Sequence, residues 1–183
     1  MSNEVNLIGM TKEEALQFYK EYCDKCNAYN LALTTMYFDM STIAPEAGSD
    51  YRIKVLSFLG GELFDYQTNP ENIKKIEEMA SLDLGEVMNE EIRQEVKNLR
   101  RVSKLPKEFY IKLQETMNHG EIAWKKARKE NNYSLFKDAL KEIINVQKQA
   151  YTYYGFEGNM YDAMLDDYET GMNMEKYDVF FTC

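Results

Sequence analysis

The sequence predicts an all-α fold built from long antiparallel helices. Apolar residues recur at steps of three and four along most of the chain, and no run alternates apolar and polar residues with the period of two that is typical of a strand. Only three prolines occur in 183 residues, so long helices can run without interruption. We expect a single helical unit over residues 1–183.

The first helix is predicted to begin after Thr11 and to extend to about Phe38. Thr11 and Glu14 have the spacing of a capping box, in which each side chain accepts a hydrogen bond from the backbone amide of the other residue. At roughly 1.5 Å per residue this helix is about 40 Å long and needs a long partner. Its predicted buried face consists of Leu16, Tyr19, Cys23, Cys26, Asn30, Leu33 and Tyr37.

Two further helices are predicted between Pro45 and about Ala80. The first should bury Tyr51, Val55, Leu59 and Leu63. Gly60-Gly61 within it predicts either a bend or the close approach of another backbone, since glycine is unfavourable in a helix interior. Asn69-Pro70 then combines a capping residue with a proline at the first helical position, which predicts the start of a short charged helix.

Three more helices are predicted between Gly85 and about Tyr151. A helix near residues 88–103 follows Gly85, and another runs from Leu105-Pro106 to Asn131-Asn132. Ser134 is predicted to cap the next helix, which continues to about Tyr151. The apolar positions of these three helices are Ile92, Val96, Leu99 and Val102, then Phe109, Leu113, Met117, Gly120, Trp124 and Ala127, then Phe136, Leu140, Ile143, Ile144 and Tyr151. Gly120 on such a face predicts close helix packing.

The last helix is predicted to begin after Asn173. It carries the apolar stripe Met174, Tyr177, Phe180 and Phe181. No glycine, proline or basic residue follows to end the helix before Cys183, which predicts that it continues past the sequence. We expect the stripe to self-associate, or the helix to fray.

Charge and composition exclude several classes of function. The chain has 22 basic and 31 acidic residues, a net charge of -9 and a pI of about 4.8, so it should repel phosphate backbones and anionic lipids. We therefore expect no nucleic-acid and no membrane partner. Three cysteines, no apolar run of about 20 residues and no leader pattern at the amino terminus predict a cytoplasmic protein.

The cysteines and the single histidine are the first candidates for chemistry. Cys23-Asp-Lys-Cys26 has the spacing of a redox pair or of half a zinc site, and His119 with Cys183 would complete a Cys₃His set. Both helical cysteines lie on the predicted buried face, which favours a structural role. His119 flanks the apolar face of its helix, and a solvent-flanking role is favoured over that of a general base.

The second group of candidates is acidic and basic. Asp162, Asp166, Asp167 and Glu169 are close in sequence, and carboxylates so placed can bind a hard cation or a basic group of a substrate. A solvated acidic face is the favoured alternative, because the twelve-residue calcium-loop pattern is absent. Arg52 and this cluster are candidate substrate contacts.

Four stretches carry a further pattern. They are Phe38-Asp39-Met40-Ser41-Thr42-Ile43-Ala44-Pro45 with Arg52 and Leu56, Leu105-Pro106-Lys107-Glu108, Ala123-Trp124-Lys125-Lys126-Ala127-Arg128 with Phe136, and Tyr161-Asp162-Ala163-Met164-Leu165-Asp166-Asp167-Tyr168-Glu169-Thr170-Gly171-Met172. In this order they resemble the amino-terminal part of the thermostable carboxypeptidase Taq family of metallocarboxypeptidases. Phe38, Ala44 and Thr170 stand where that family usually has Trp, Met and Pro, which indicates a divergent member.

The resemblance implies a helical array that walls a groove, through which a peptide tail reaches a metal. In the family, zinc or cobalt is held by the two His of His-Glu-x-x-His and a later Glu, and it activates a water that attacks the last peptide bond. That motif, His-Pro-Phe and Asp-x-Arg-x-Thr are all absent from these 183 residues. The chain alone is therefore expected to be inactive, with no catalytic residue, metal ligand or cofactor of its own.

Two functions remain open. The first is the groove-forming fragment of a metal-dependent carboxypeptidase, whose full-length parent would bind zinc or cobalt and a peptide substrate and, as is common in the family, form a homodimer. The second is a non-catalytic helical interaction domain derived from the same family.

Overall fold

A computed structural model describes residues 9–182 and divides the chain into two compact units, Met1–Ser103 and Lys104–Cys183. Eight α-helices and no strand occur among these described residues, which confirms the predicted all-α class. The folding of residues 1–183 as one unit stays a prediction. None of the helices in the described part is long and apolar enough to span a membrane.

The helices have the following bounds. In the first unit they are α1 (Lys12–Thr42), α2 (Ser49–Gln67), α3 (Pro70–Met79) and α4 (Glu86–Val102), with a short 3₁₀ helix at Glu46–Gly48. In the second unit they are α5 (Lys107–Lys129), α6 (Ser134–Tyr154), α7 (Met160–Tyr168) and α8 (Met174–Phe181).

Three of the predicted helix starts are confirmed by their hydrogen bonds. Thr11 and Glu14 form the reciprocal capping box of α1. The side chain of Asn69 accepts the amide of Glu71 at the start of α3, where Pro70 is the first helical residue. Asn173 likewise caps α8. Local sequence is sufficient at these points because each cap satisfies amides that the first helical turn leaves without partners.

The core of the first unit lies where α1 packs against α2, α3 and α4. Tyr22 stacks on Tyr66 while Asp39 pairs with Arg52, so α1 and α2 are antiparallel. Tyr19 donates a hydrogen bond to Glu91, and Tyr22 donates one to Glu95. Residue numbers therefore increase in the same direction along both helices, so α1 and α4 are parallel. The buried residues are Ala15, Tyr19, Tyr22, Cys26, Leu63, Ile76, Met79, Ile92, Val96 and Leu99.

The predicted buried faces of α1 and α2 are partly wrong. On α1, Ala15 and Tyr22 are buried instead of Leu16, and Tyr37 is exposed. On α2 the buried residues include Ile53, Leu56 and Phe64, whereas Tyr51 is 74% exposed and Val55 and Leu59 are only half-buried. Each of these helices carries apolar residues on more than one side, so periodicity alone does not identify the side that packs. Gly60 and Gly61 are both buried within an unbroken helix.

In the second unit, α5 and α6 form an antiparallel hairpin. Phe109 contacts Tyr153 near one end, and Gly120 lies against Ile143 further along. A Cβ at Gly120 would collide with Ile143 Cδ1, so the close packing predicted there is confirmed. Two expectations are corrected: Trp124 and Met117 are exposed rather than buried, and Ser134 is the first residue of α6, its amide held by the side chain of Asn132.

Candidate functional site

Arg52, a candidate substrate contact, lies on α2 and contacts the end of α1 and the connection between the two helices. Its Nε lies 3.6 Å from a carboxylate oxygen of Asp39, and its Nη1 donates a hydrogen bond of 3.3 Å to the carbonyl of Pro45. Gly48 leaves room for the guanidinium, because a Cβ at that position would collide with Arg52 Nη1. Three residues of the first quoted motif therefore meet at this connection.

The geometry gives Arg52 a structural role and leaves it capable of a second one. Both Arg52 and Asp39 are partly exposed, so their ion pair stabilises the fold by at most about 1 kcal/mol. A guanidinium carries five N–H donors on three nitrogens, and these two contacts engage two of the nitrogens. An arginine oriented in this way can bind a carboxylate. Substrate contact by Arg52 stays a prediction.

The acidic cluster lies along α7 and accepts hydrogen bonds from its own chain. Asp162 accepts the amide of Met174 at 2.8 Å, and Asp166 accepts the amide of Gly171 at 2.6 Å. Asp167 accepts a hydrogen bond from the hydroxyl of Tyr151 on α6. These carboxylates hold the turn between α7 and α8 and tie α7 to α6, so the favoured interpretation of a merely solvated face leaves out their structural role.

Lys176 completes that turn. Its Nζ donates to the carbonyl of Gly171 at 2.5 Å, and Gly171 has a φ of 84°. A positive φ of this size is adopted readily only by glycine. The residues Asp166, Gly171 and Lys176 therefore fix the direction in which α8 leaves α7, and α8 keeps Phe180 and Phe181 exposed.

The two helical cysteines lie beside two phenol–carboxylate pairs. Tyr19 donates to Glu91 at 3.0 Å and Tyr22 donates to Glu95 at 2.9 Å. Cys23 and Cys26 each follow one of these tyrosines by four residues, one helical turn along the same side of α1. Cys26 is buried and Cys23 is half-buried.

This environment makes the thiols poor nucleophiles. Burial raises the pKa of the Cys23 thiol, the hydroxyl of Tyr19 partly offsets that rise, and the carboxylates of Glu91 and Glu95 add to it. Burial likewise raises the pKa of Cys26. The thiolate is the form that attacks disulfides and binds metals, so the raised pKa values favour the structural role.

The proposed Cys₃His set is not brought together within the described residues. His119 is exposed on α5 in the second unit, and Cys183 lies outside residues 9–182. Among the side chains that the structure describes, no group of three or more His, Cys, Asp or Glu residues is arranged to hold a metal ion. The clustered carboxylates of Asp162, Asp166 and Asp167 each accept a hydrogen bond from the protein.

Sequence reasoning missed the two phenol–carboxylate pairs. A signal was available, because Glu91 and Glu95 are spaced by four and each precedes a buried residue of α4, Ile92 or Val96. They therefore flank the buried face at the level of the tyrosines. What the sequence did not supply was the pairing of α4 with α1, which are separated by two other helices.

Comparisons with known proteins agree with this architecture. Residues 18–183 match the family described as carboxypeptidase Taq (M32) metallopeptidase. Carboxypeptidase 1 of Bacillus subtilis is 28% identical over 169 residues, which are 90% of this chain and 34% of that protein. Thermostable carboxypeptidase 1 of Pyrococcus furiosus is 32% identical over 127 residues, 69% of this chain and 25% of that protein. The crystal structure of BsuCP superposes with a TM-score of 0.84 at 27% identity, covering 91% of this chain and 34% of its own.

The chain thus spans between a quarter and about a third of the length of the curated relatives it matches.

Proposed function

This chain belongs to the carboxypeptidase Taq (M32) metallopeptidase family, and on that basis we propose that it is the groove-forming part of a metal-dependent carboxypeptidase. The whole protein would remove carboxy-terminal residues from peptides. The observation that carries the proposal is the family match over residues 18–183. The TM-score of 0.84 to the crystal structure of BsuCP supports the proposal at the level of the fold.

We place the metal of the whole protein outside this chain. A catalytic zinc site needs about three protein ligands and an open position. The residues described here do not fit a resident zinc or cobalt ion, because the clustered carboxylates accept N–H and O–H groups of the protein and both helical thiols have raised pKa values. The role left to this chain is to bind and orient the peptide beside a centre that other residues supply.

The long helices support the wall of the groove. At roughly 1.5 Å per residue, α1 with its 31 residues is about 46 Å long, which is enough to flank an extended peptide of several residues. In the second unit, the antiparallel α5–α6 hairpin has helices of 23 and 21 residues, which are about 32–35 Å long. Arg52, fixed against Asp39 and Pro45, is the side chain of the first unit that we assign to a peptide carboxylate.

The test begins with the source gene beyond codon 183. We expect an open reading frame that continues into His-Glu-x-x-His, and a whole protein that releases the last residue of an amino-terminally blocked dipeptide. A chelator should abolish this release, and zinc or cobalt should restore it. The 183-residue chain, assayed beside the whole protein, should release nothing and should retain no stoichiometric metal after dialysis.

A stop codon after residue 183 would contradict the proposal and favour the alternative, a helical interaction domain derived from the family. A reading frame that continues without the motif would have the same consequence for the enzymatic part. Stoichiometric metal on the 183-residue chain would instead contradict our placement of the metal, and its loss in Cys23→Ser would identify the thiols as ligands.

Two attributes complete the proposal. We propose a cytoplasmic location, supported by unpaired Cys23 and Cys26 thiols, since disulfides are typical of oxidising compartments. We also propose that the whole protein forms a homodimer, which sedimentation of the whole protein would test. A monomer at micromolar concentration would contradict it.

A further inference from the structure

The carboxy-terminal part of α1 contains a stretch without any charge. Residues 26–38 include no Asp, Glu, Lys, Arg or His, although 29% of the whole chain is charged. We call residues 26–38 the uncharged segment. It is flanked by Lys25 and Asp39, and its composition differs abruptly from that of the preceding part of the helix, residues 12–25.

Most of the uncharged segment is exposed. Leu31 is 71% exposed and Phe38 is 64% exposed. Tyr29 and Leu33 pack partly against the core of the first unit. With 3.6 residues per turn, Leu31 and Phe38 share a side of the helix that lies nearly opposite Tyr29 and Leu33. Apolar residues therefore occupy both the covered and the uncovered side.

Two threonines lie on the exposed side, and their hydroxyl groups donate hydrogen bonds within the helix rather than to water. Thr35 and Thr42 lie on the same side as Leu31 and Phe38 at helical spacing. The hydroxyl of Thr35 donates to the carbonyl of Leu31 at 2.7 Å, and that of Thr42 donates to the carbonyl of Phe38 at 2.6 Å. Since both hydroxyl protons are bonded within the helix, covering these side chains leaves no donor unsatisfied.

A helix with apolar residues on opposite sides is typical of the interior of a larger protein. A helix that remains at the surface usually carries charges on its outer face, as the first part of α1 does. The pattern of the uncharged segment therefore indicates a surface that another layer of polypeptide covers.

We propose that the outer side of the uncharged segment, Leu31, Thr35, Phe38 and Thr42, is the docking surface for the part of the whole protein that lies outside residues 1–183. This inference rests on the proposed function. The relatives supply the length that is needed, since this chain matches 34% of the Bacillus subtilis protein.

The experiment compares one pair of substitutions in two backgrounds. Leu31→Glu with Phe38→Glu is introduced into the 183-residue chain and into the whole protein expressed from the source gene. Val87→Glu, at an apolar residue of α4 that is 82% exposed, is the matched control in both. We expect the double substitution to leave the thermal midpoint of the 183-residue chain unchanged and to lower that of the whole protein by several degrees. Val87→Glu should change neither.

Hydrogen exchange supplies a readout that does not depend on the variants. Amides of residues 27–42 should exchange roughly 100-fold more slowly in the whole protein than in the 183-residue chain, because covering a helix suppresses its local opening. If the doubly substituted whole protein is insoluble, Leu31→Ala gives a milder test of the same side, with the same direction of effect.

Three results would overturn the proposal. The first is equal protection of residues 27–42 in both backgrounds, which would mean that the segment is covered within its own chain or not at all. The second is a whole protein that tolerates the double substitution as well as Val87→Glu. The third is a 183-residue chain that dimerises and becomes monomeric on the double substitution, which would identify a second copy as the occupant. In each case an active whole protein leaves the proposed function intact, whereas a reading frame that ends at codon 183 overturns both.

Discussion

The two parts of α1 belong to one continuous helix and have opposite characters. In residues 12–25 seven of fourteen side chains are charged, yet this part supplies Ala15, Tyr19 and Tyr22 to the core of the first unit. Residues 26–38 carry no charge, yet most of them are exposed. Burial along this helix therefore follows the position of its neighbours rather than its local hydrophobicity.

The comparison teaches that an amphipathic pattern and an apolar pattern indicate different surroundings. The first part alternates charged and apolar sides, as expected of a helix at the boundary of a domain. The second part has no charged side, and its exposed polar residues are the uncharged Asn27, Asn30, Thr34 and Thr35. We attribute the difference to the docking that we propose for the uncharged segment. The following substitutions test the difference in packing between the two parts of α1 within the 183-residue chain.

The largest expected difference is between Tyr22→Ala and Phe38→Ala. Tyr22 is 2% exposed, stacks on Tyr66 and bonds Glu95, so its removal should lower the free energy of unfolding by about 3–5 kcal/mol. Phe38→Ala should change it by less than about 0.5 kcal/mol. Urea unfolding of both variants measures the difference. Equal losses would mean that the two parts of α1 are equally packed.

The register of the first part is tested by Ala15→Leu and Leu16→Ala. Ala15 is fully buried and Leu16 is exposed. Enlarging Ala15 should cost about 1–3 kcal/mol because a packed interior has no space for the added carbons, whereas shortening Leu16 should cost clearly less. The same urea titration applies. If Leu16→Ala lowered the free energy of unfolding more than Ala15→Leu, the result would favour the buried face that the sequence predicted, which includes Leu16.

Alkaline pH should destabilise the chain through the first part of α1. Burial raises the pKa of Tyr19 and Tyr22 above the ordinary value of 10.0. Above pH 10 the two phenols therefore lose their protons in the unfolded chain but keep them in the folded chain. The unfolded chain then binds fewer protons, and stability falls as the pH rises past about 10. Thermal midpoints between pH 8 and 11 measure this fall.

The matched variant for this pH series is Tyr19→Phe with Tyr22→Phe. It should be less stable than the parent chain at pH 8, because Glu91 and Glu95 lose their phenol donors, and it should show a shallower decline above pH 10. Part of the decline will remain, since Tyr66 and Tyr110 also have raised pKa values. An unchanged slope would contradict the assignment to Tyr19 and Tyr22.

The smallest effect is expected where the uncharged segment ends. Arg52→Ala removes the contacts with Asp39 and Pro45, and it should lower the free energy of unfolding by no more than about 1 kcal/mol. Limited proteolysis is the more sensitive measurement, and cleavage between residues 42 and 48 should become faster. Lys54→Ala, at an exposed residue of the same helix, is the control and should leave the cleavage rate unchanged.

Helix existence and helix starts were predictable because they depend on neighbours in sequence. The capping pairs at Thr11, Asn69 and Asn173 use side chains within three residues of the amides they bind. The family was predictable for a related reason, since its motifs are short stretches whose order survives divergence. Ser134 shows the limit of such reasoning, because Asn132 offers a competing side chain two residues earlier.

What only the tertiary structure decided is which side of each helix is covered. The sequence by itself determined an all-α chain, the helix starts at Thr11, Asn69 and Asn173, and its resemblance to a metallocarboxypeptidase family. It did not determine that Glu91 and Glu95 meet Tyr19 and Tyr22. The physical reason is that a hydrogen bond between residues about 70 positions apart in sequence exists only once the intervening helices have packed, and no local pattern specifies that packing.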